Sequence, residues 1–257
     1  ARLAAGSAVS CRGIGIRWDP VEAAVKYDVS APIAGLAEIP LMITPPPKVS
    51  VVTLHYNTVR DTELLLDSLQ NITYPWVEIL ILDNASRDDF REKYAAGFTN
   101  RFPDLPPARL YRSDRNLGFA GGMNELLEIA LLRGTDYIYV VNNDIIFHPS
   151  ALEPLVEAGE ENPGVGTVGS KVYLIEGRDD PRGELLMNAG SCYLARSRGA
   201  RCRDRGQFEE KTNVDFVDAV AVLMKRQALE EVGRFDSRYF FGRESMDWSL
   251  RAKAAGW

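Results

Sequence analysis

Three stretches of this 257-residue chain, VSVVTLHYN at 49–57, VEILILDN at 77–84 and DYIYVVNND at 136–144, are near-continuous apolar runs that end in Asn or Asp. Such runs suit strands buried on both faces, as in a parallel sheet covered by helices. The segments between them keep a different period. RDTELLLDSLQNI at 60–72 puts Leu64, Leu65, Leu69 and Ile72 on one helical face, and NELLEIALLRG at 124–134 reads as a helix stopped by Gly134. ARLYRSD at 108–114 is a further strand, and SALEPLVEAGEEN at 150–162 a helix with Ser150 at its N-cap and Glu153 three residues on. Strand and helix in alternation predict an open α/β sheet with right-handed crossovers. In such sheets ligands sit beyond the carboxyl ends of the strands, which directs attention to HYN, LDN and NND.

Composition narrows the class. A hydrophobic fraction of 46% supplies a sizeable core and excludes a disordered chain. The formal charge of −6 argues against a nucleic-acid partner, because polyanion affinity is carried by Lys and Arg. No apolar run approaches the ~20 residues of a membrane span. Cys11, Cys192 and Cys202 fit neither a disulfide scaffold nor a metal-ligand spacing, so a reduced cytoplasmic setting is expected. The triple proline at 45–47 can continue neither a helix nor a central strand. It separates a small β-rich extension, residues 1–44, from the main domain at 48–257. GIGIRW and AVKYDVSAP are strand candidates within that extension. A start at Ala1 and a stop at Trp257 point to a fragment.

Asp83 and Asn84 close the second run, where they either cap the next helix or accept hydrogen bonds from a base or a ribose. NLGFAGGMN at 116–124 places Gly118, Gly121 and Gly122 just before a helix. Glycines there either make a turn or let backbone approach an anion at the helix N-terminus. Neither the dinucleotide-binding glycine spacing nor the Lys of a P-loop is present. Asp144 ends the strand at 136–144 and offers a carboxylate through which Mg²⁺ or Mn²⁺ could bridge a diphosphate. RSRGARCRDR, Arg196 to Arg205, carries five arginines. It reads first as a solvated hairpin tip and second as a peripheral contact with anionic lipid at the inner face of a membrane.

Taken together in their order, LDNAS, NLGFAGGMN, VVNND, VDFVDAVAVLMKR and GRFDSRYFFGRESMDWSLRAKAAGW resemble the family 2 nucleotide-sugar glycosyltransferases of GT-A fold, in their bacterial rhamnosyltransferase-like branch. The resemblance spans residues 48–257. It implies that Tyr56, Asn57, Asp83, Asn84 and Asn143 hold the nucleotide, with Asn116, Gly118 and Asn124 bordering its ribose and diphosphate. It further implies that NND stands for the DxD metal motif, with Asp144 on the Mn²⁺ or Mg²⁺ and Asn142 where a first Asp often stands. The donor would be a UDP- or dTDP-linked sugar, the acceptor a saccharide or lipid-linked saccharide. The family's usual Glu-Asp-x-Asp reads here Glu244, Ser245, Met246, Asp247, so Ser245 falls where the catalytic base is expected. A serine hydroxyl is no general base without a partner to deprotonate it. Glu244 and Asp247, three apart on one helix, and Asp218 are the candidates to replace it. The expected activity is inverting sugar transfer in polysaccharide or glycoconjugate synthesis. A sugar-phosphate nucleotidyltransferase would want glycines after the first strand, which HYNTVRDT lacks; a catalytically silent nucleotide-sugar-binding module is kept alive by Ser245.

Overall fold

The computed structural model describes residues 2–10, 45–95, 97–175, 185–190 and 202–257. Among the described residues nine strands form one mixed sheet: β1 (Arg2–Ser10), β2 (Val49–His55), β3 (Val77–Asp83), β4 (Ala108–Arg112), β5 (Tyr137–Val141), β6 (Ile145–Phe147), β7 (Thr167–Ile175), β8 (Leu185–Asn188) and β9 (Ala221–Lys225). The order is β4-β3-β2-β5-β9-β7-β1-β6, with β8 also on β7. The apolar runs behave as expected, for β4, β3, β2 and β5 are parallel neighbours. Beyond β5 the sheet departs from the parallel pattern, because β9 returns antiparallel to β5 and β7 antiparallel to β9. Within residues 1–44 the described strand is β1, at a place not singled out from the sequence; it lies in the main sheet, parallel to β6 and antiparallel to β7. GIGIRW and AVKYDVSAP lie outside the described residues, as do Cys11 and Cys192.

Six helices complete the fold among the described residues: α1 (Val59–Leu69), α2 (Phe90–Tyr94), α3 (Gly118–Leu132), α4 (Leu152–Glu161), α5 (Arg226–Val232) and α6 (Glu244–Ala254). Alternate strand residues feed two cores. Val49, Val51, Ile79, Ile81 and Tyr139 pack with α1 and α4, while Val52, Leu80, Leu82, Ile138 and Val140 pack with α3, α5 and α6. Burial on both faces is why these strands are apolar throughout rather than alternating.

Three local expectations need correction. Leu64 is only half-buried, and the inward stripe of α1 is Thr62, Leu65, Leu66 and Leu69, two i,i+4 pairs. Ser150 does not cap α4: its hydroxyl pairs with His148 Nδ1 at 3.1 Å, and Glu153 takes the Thr73 hydroxyl at 2.6 Å instead of closing a capping box. Gly118, Gly121 and Gly122 do not precede α3 but form its first turns.

Candidate active site

The carboxyl ends of the parallel strands carry the polar residues in which the apolar runs end. Beyond them lies a cleft of about 450 Å³ lined by Tyr56, Asn84, Asn116, Gly118, Asn143 and Asp144, together with Thr58, Asn142, Phe240 and Phe241. A larger hollow of about 640 Å³ at the β4 edge, between Tyr94, Phe98, Phe102 and Arg112, has no acidic lining residue. The 450 Å³ cleft, which gathers the polar residues following β2, β3 and β5, is the candidate site.

The asparagines and glycines of the cleft are largely engaged with the protein itself. Asn84 donates to Asn116 Oδ1 and to the Gly118 carbonyl, each at 3.1 Å, and accepts from Leu117 N–H at 2.9 Å. Asn116 Oδ1 accepts Gly118 N–H at 2.8 Å, and the Phe240 carbonyl accepts Phe119 N–H at 2.7 Å. The first two N–H groups of α3, those of Gly118 and Phe119, are thus satisfied by the chain. Gly118 is needed for the same contact: its φ is +71°, and an added Cβ would lie 2.4 Å from the Phe240 carbonyl oxygen. Gly118→Ala should accordingly cost about 1–3 kcal/mol in a denaturant melt, from a strained backbone and a displaced 240 loop. An unchanged midpoint would refute that tight approach.

Three of the expected nucleotide residues do not line the cleft. Asn124 spends its amide on the backbone of Phe235, donating to its carbonyl at 2.8 Å and accepting its N–H at 3.0 Å. Asn57, at φ 55°, accepts Arg87 N–H at 2.8 Å and fixes the loop after β3. Asp83 is buried, accepting Ser86 N–H at 2.7 Å and pairing with the Arg112 guanidinium. Missed by the sequence reading were Thr58, Phe240 and Phe241; two consecutive exposed aromatics in an otherwise polar loop were the available signal for the latter pair.

The acids divide by partner. Among the described residues, the buried side-chain oxygens left without a hydrogen bond are Thr53 Oγ1, Asp144 Oδ1, Glu153 Oε2 and Glu244 Oε2. Glu153 uses its other oxygen on Thr73 at the start of α4, away from the strand ends. Asp144 follows β5, and burial pushes its carboxyl above the usual range, with the Asp61 charge adding to the effect. Asp218 leads into β9, whose start is held to the NND end of β5 through Asn142 N–H on the Val220 carbonyl at 3.0 Å. It is hydrogen-bonded by Asn188. Glu244 opens α6, and it too is pushed up by burial, then by the charge of Asp218. Ser245 beside it is buried. Asp247 is committed elsewhere, to Arg251 Nε at 2.9 Å, and Arg251 also holds the carbonyls of Val232 and Arg234. With Trp248 donating to the Gly233 carbonyl at 2.7 Å, these bonds fasten α6 to the end of α5.

The described residues contain no cluster of three or more His, Cys, Asp or Glu side chains suited to a metal. The orphaned Asp144 oxygen nevertheless fits a hard divalent cation, which binds through one or two carboxylates plus substrate phosphates. Of the Arg-rich stretch, 196–201 lies outside the described residues. Its end runs back along β8, with Cys202 accepting Leu186 N–H at 2.9 Å and Asp204 taking the buried Lys171 ammonium at 2.9 Å. No helix among the described residues is long and apolar enough to cross a membrane.

Residues 50–233 match the family described as Glycosyl transferase family 2. The chain belongs to that family. Within family 2 it is of the rhamnosyltransferase-like branch, being 26% identical over 224 residues to the N-acetylglucosaminyl-diphospho-decaprenol L-rhamnosyltransferase of Mycobacterium tuberculosis, across 80% of this chain and 71% of that protein. It is also 26% identical to the O-antigen biosynthesis protein RfbC of Myxococcus xanthus, over 91% of this chain but 17% of that one. Among solved structures, the mannosyltransferase PcManGT of Pyrobaculum calidifontis, in complex with GDP-Man and Mn²⁺, superposes with a TM-score of 0.58 at 20% identity, over 83% of this chain and 54% of that one. TarS 1–349 of S. aureus follows at 0.53 and 16%, over 80% and 55%. The fold is the GT-A fold expected from the sequence, and the chain spans little more than half the length of those structures.

Proposed function

We propose that this family 2 chain transfers a sugar, with inversion, from a nucleoside-diphosphate sugar to a hydroxyl of a saccharide or lipid-linked saccharide acceptor. The observation that carries the reading is two buried carboxylates, each with one unpartnered oxygen: Asp144, which lines the cleft, and Glu244, which opens α6 just after the cleft residues Phe240 and Phe241. Leaving a buried carboxylate oxygen without a partner is costly, so ligands that complete these two would account for them. Support comes also from PcManGT, whose structure holds a nucleotide sugar and Mn²⁺.

Roles follow from the partners. A divalent cation held by Asp144 and the donor's phosphate oxygens would supply charge neutralisation for the departing diphosphate. Glu244 takes the proton of the acceptor hydroxyl; the acceptor oxygen then bonds to the anomeric carbon as its bond to the diphosphate breaks. A carboxyl raised by burial is a stronger base once ionised than an ordinary one. Asp247 is tied to Arg251 and Asp218 to Asn188, which leaves Glu244 as the acid best able to replace the base missing at Ser245.

The test is transfer from UDP-, dTDP- and GDP-linked sugars to saccharide and lipid-linked acceptors with Mn²⁺, with product configuration read by NMR. An inverted anomer is expected, and nucleotide binding without transfer to any acceptor would favour the silent binding module. Ser245→Asp is expected to leave the rate within a few-fold of wild type, since Glu244 already acts; a rise of ~10²–10⁴-fold would place the base function at position 245.

A further inference from the structure

A buried chain of hydrogen bonds reaches the cleft from the opposite side to Glu244's helix and takes no part in that chemistry. His55, the last residue of β2, is fully enclosed and stacks on Phe90 with ring centroids 4.0 Å apart. Its Nε2 lies 3.0 Å from both oxygens of Asp88, and its Nδ1 lies 2.7 Å from Thr62 Oγ1 in α1. Thr62 Oγ1 accepts the Asn143 amide at 2.9 Å, and Thr58 Oγ1 accepts it at 2.6 Å. Asn143 and Thr58 line the cleft; His55, Asp88 and Thr62 do not.

The donors and acceptors in this chain leave little freedom. An ionised Asp88 only accepts, so His55 Nε2 carries a proton. If Nδ1 is bare, the Thr62 hydroxyl must donate to it. If Nδ1 is protonated, it donates to Thr62, and the hydroxyl proton turns to the Thr58 carbonyl, 3.3 Å away. With Nδ1 bare, the Thr62 proton is spent on the ring and Thr62 Oγ1 meets Asn143 as an acceptor, so Asn143 must present its NH₂; with Nδ1 protonated the same holds while the hydroxyl proton lies on the Thr58 carbonyl, the arrangement the structure shows. Both amide hydrogens are then spent on Thr58 and Thr62, and the side-chain carbonyl is what Asn143 has left for a ligand.

We propose that Asp88, His55 and Thr62 are positioning residues that lock Asn143 with its carbonyl oxygen offered to the cleft, where it accepts a ribose hydroxyl of the nucleoside diphosphate. The ligand class rests on the functional reading above; the orientation of Asn143 rests on the hydrogen bonds alone. An acceptor at this place suits a hydroxyl and repels a phosphate oxygen. A different orientation, with NH₂ outward, would invert that preference.

Thr62→Val removes the hydroxyl at nearly constant volume, and Thr62→Ser keeps it. In calorimetric titrations without metal, UDP is expected to bind Thr62→Val about tenfold more weakly than wild type, Thr62→Ser restoring the affinity. The 2′,3′-dideoxy analogue of UDP, which has no ribose hydroxyl to offer, should bind wild type and Thr62→Val alike. A merely structural Thr62 would lower thermal stability and weaken both nucleotides together, and that result, or unchanged UDP affinity, overturns the proposal. In the ligand-free protein, ¹⁵N shifts should show His55 protonated at Nε2, and the Asn143 side-chain amide should be protected from exchange in wild type and exposed in Thr62→Val. An unprotonated Nε2 or an unprotected amide would also overturn it. Wild type that binds no nucleotide, yet shows both signatures, would sink the functional reading while leaving the lock on Asn143 standing.

Discussion

Glu244→Gln is expected to lower sugar transfer by ~10²–10⁴-fold, the usual contribution of a general base, while making the folded protein more stable near neutral pH. Both effects have one cause. Burial and the Asp218 charge hold the Glu244 carboxyl above the usual range. The folded state therefore keeps this proton to higher pH than the unfolded chain does. The contribution of Glu244 to stability is intact below the ordinary glutamate range and is lost as pH rises through the raised value. Glutamine never ionises, so the stability gap between variant and wild type should widen from acid to neutral pH. In wild type the acid limb of the transfer profile should sit above that of an ordinary carboxylate, and the variant should lack it. Thermal melts across pH beside initial rates decide the matter. If Asp218→Asn causes the large loss of rate and Glu244→Gln does not, the base is Asp218.

Asp144→Asn should abolish the gain in nucleotide affinity that Mn²⁺ brings, leaving metal-free affinity nearly intact. In wild type, nucleotide with Mn²⁺ at a hundred times its Kd would stabilise the fold by about 2.7 kcal/mol, and the variant should retain only the metal-free part of that shift. Without ligands the substitution should not weaken the fold, since a buried carboxyl with one unpartnered oxygen, pushed above its usual range by burial, gives way to a neutral amide. Equal Mn²⁺ enhancement in both proteins would reject Asp144 as the principal ligand.

The parallel half of the fold was legible because β2, β3 and β5 are apolar on both faces, a pattern that few other environments demand. The antiparallel half was not, since β9 and β7 carry the same kind of residues and direction leaves no trace in composition. The lining of the cleft was legible wherever a polar residue ends an apolar strand, for Asp144, Asn143 and Asn84 all line it. The partners of the other candidates were less so. Asn124 and Asn57 have the residue type that binds nucleotides, but their amides close on Phe235 and Arg87, and such partners, 111 and 30 residues away, are set by the tertiary fold. The proposed preference for Glu244 over Asp247 likewise rests on Arg251, which holds Asp247. An i,i+4 Asp-Arg pair is visible in the sequence; the Val232 and Arg234 carbonyls that hold the arginine in place are not.

The Phe119 N–H on the Phe240 carbonyl, with the Asn124 clamp on Phe235, joins the start of α3 at 116–124 to the segment that leads into Glu244. For anyone recombining such enzymes, the two stretches form a single exchangeable cassette. A chimaera that takes the 116–124 stretch from one parent and the 233–247 segment from another would have to rebuild a contact that only a glycine at 118 admits. Swapped together they would carry their own fit, so crossovers belong outside both stretches: before 116 and after 254, or within the strands between them, where β5 and β9 pair through their backbones.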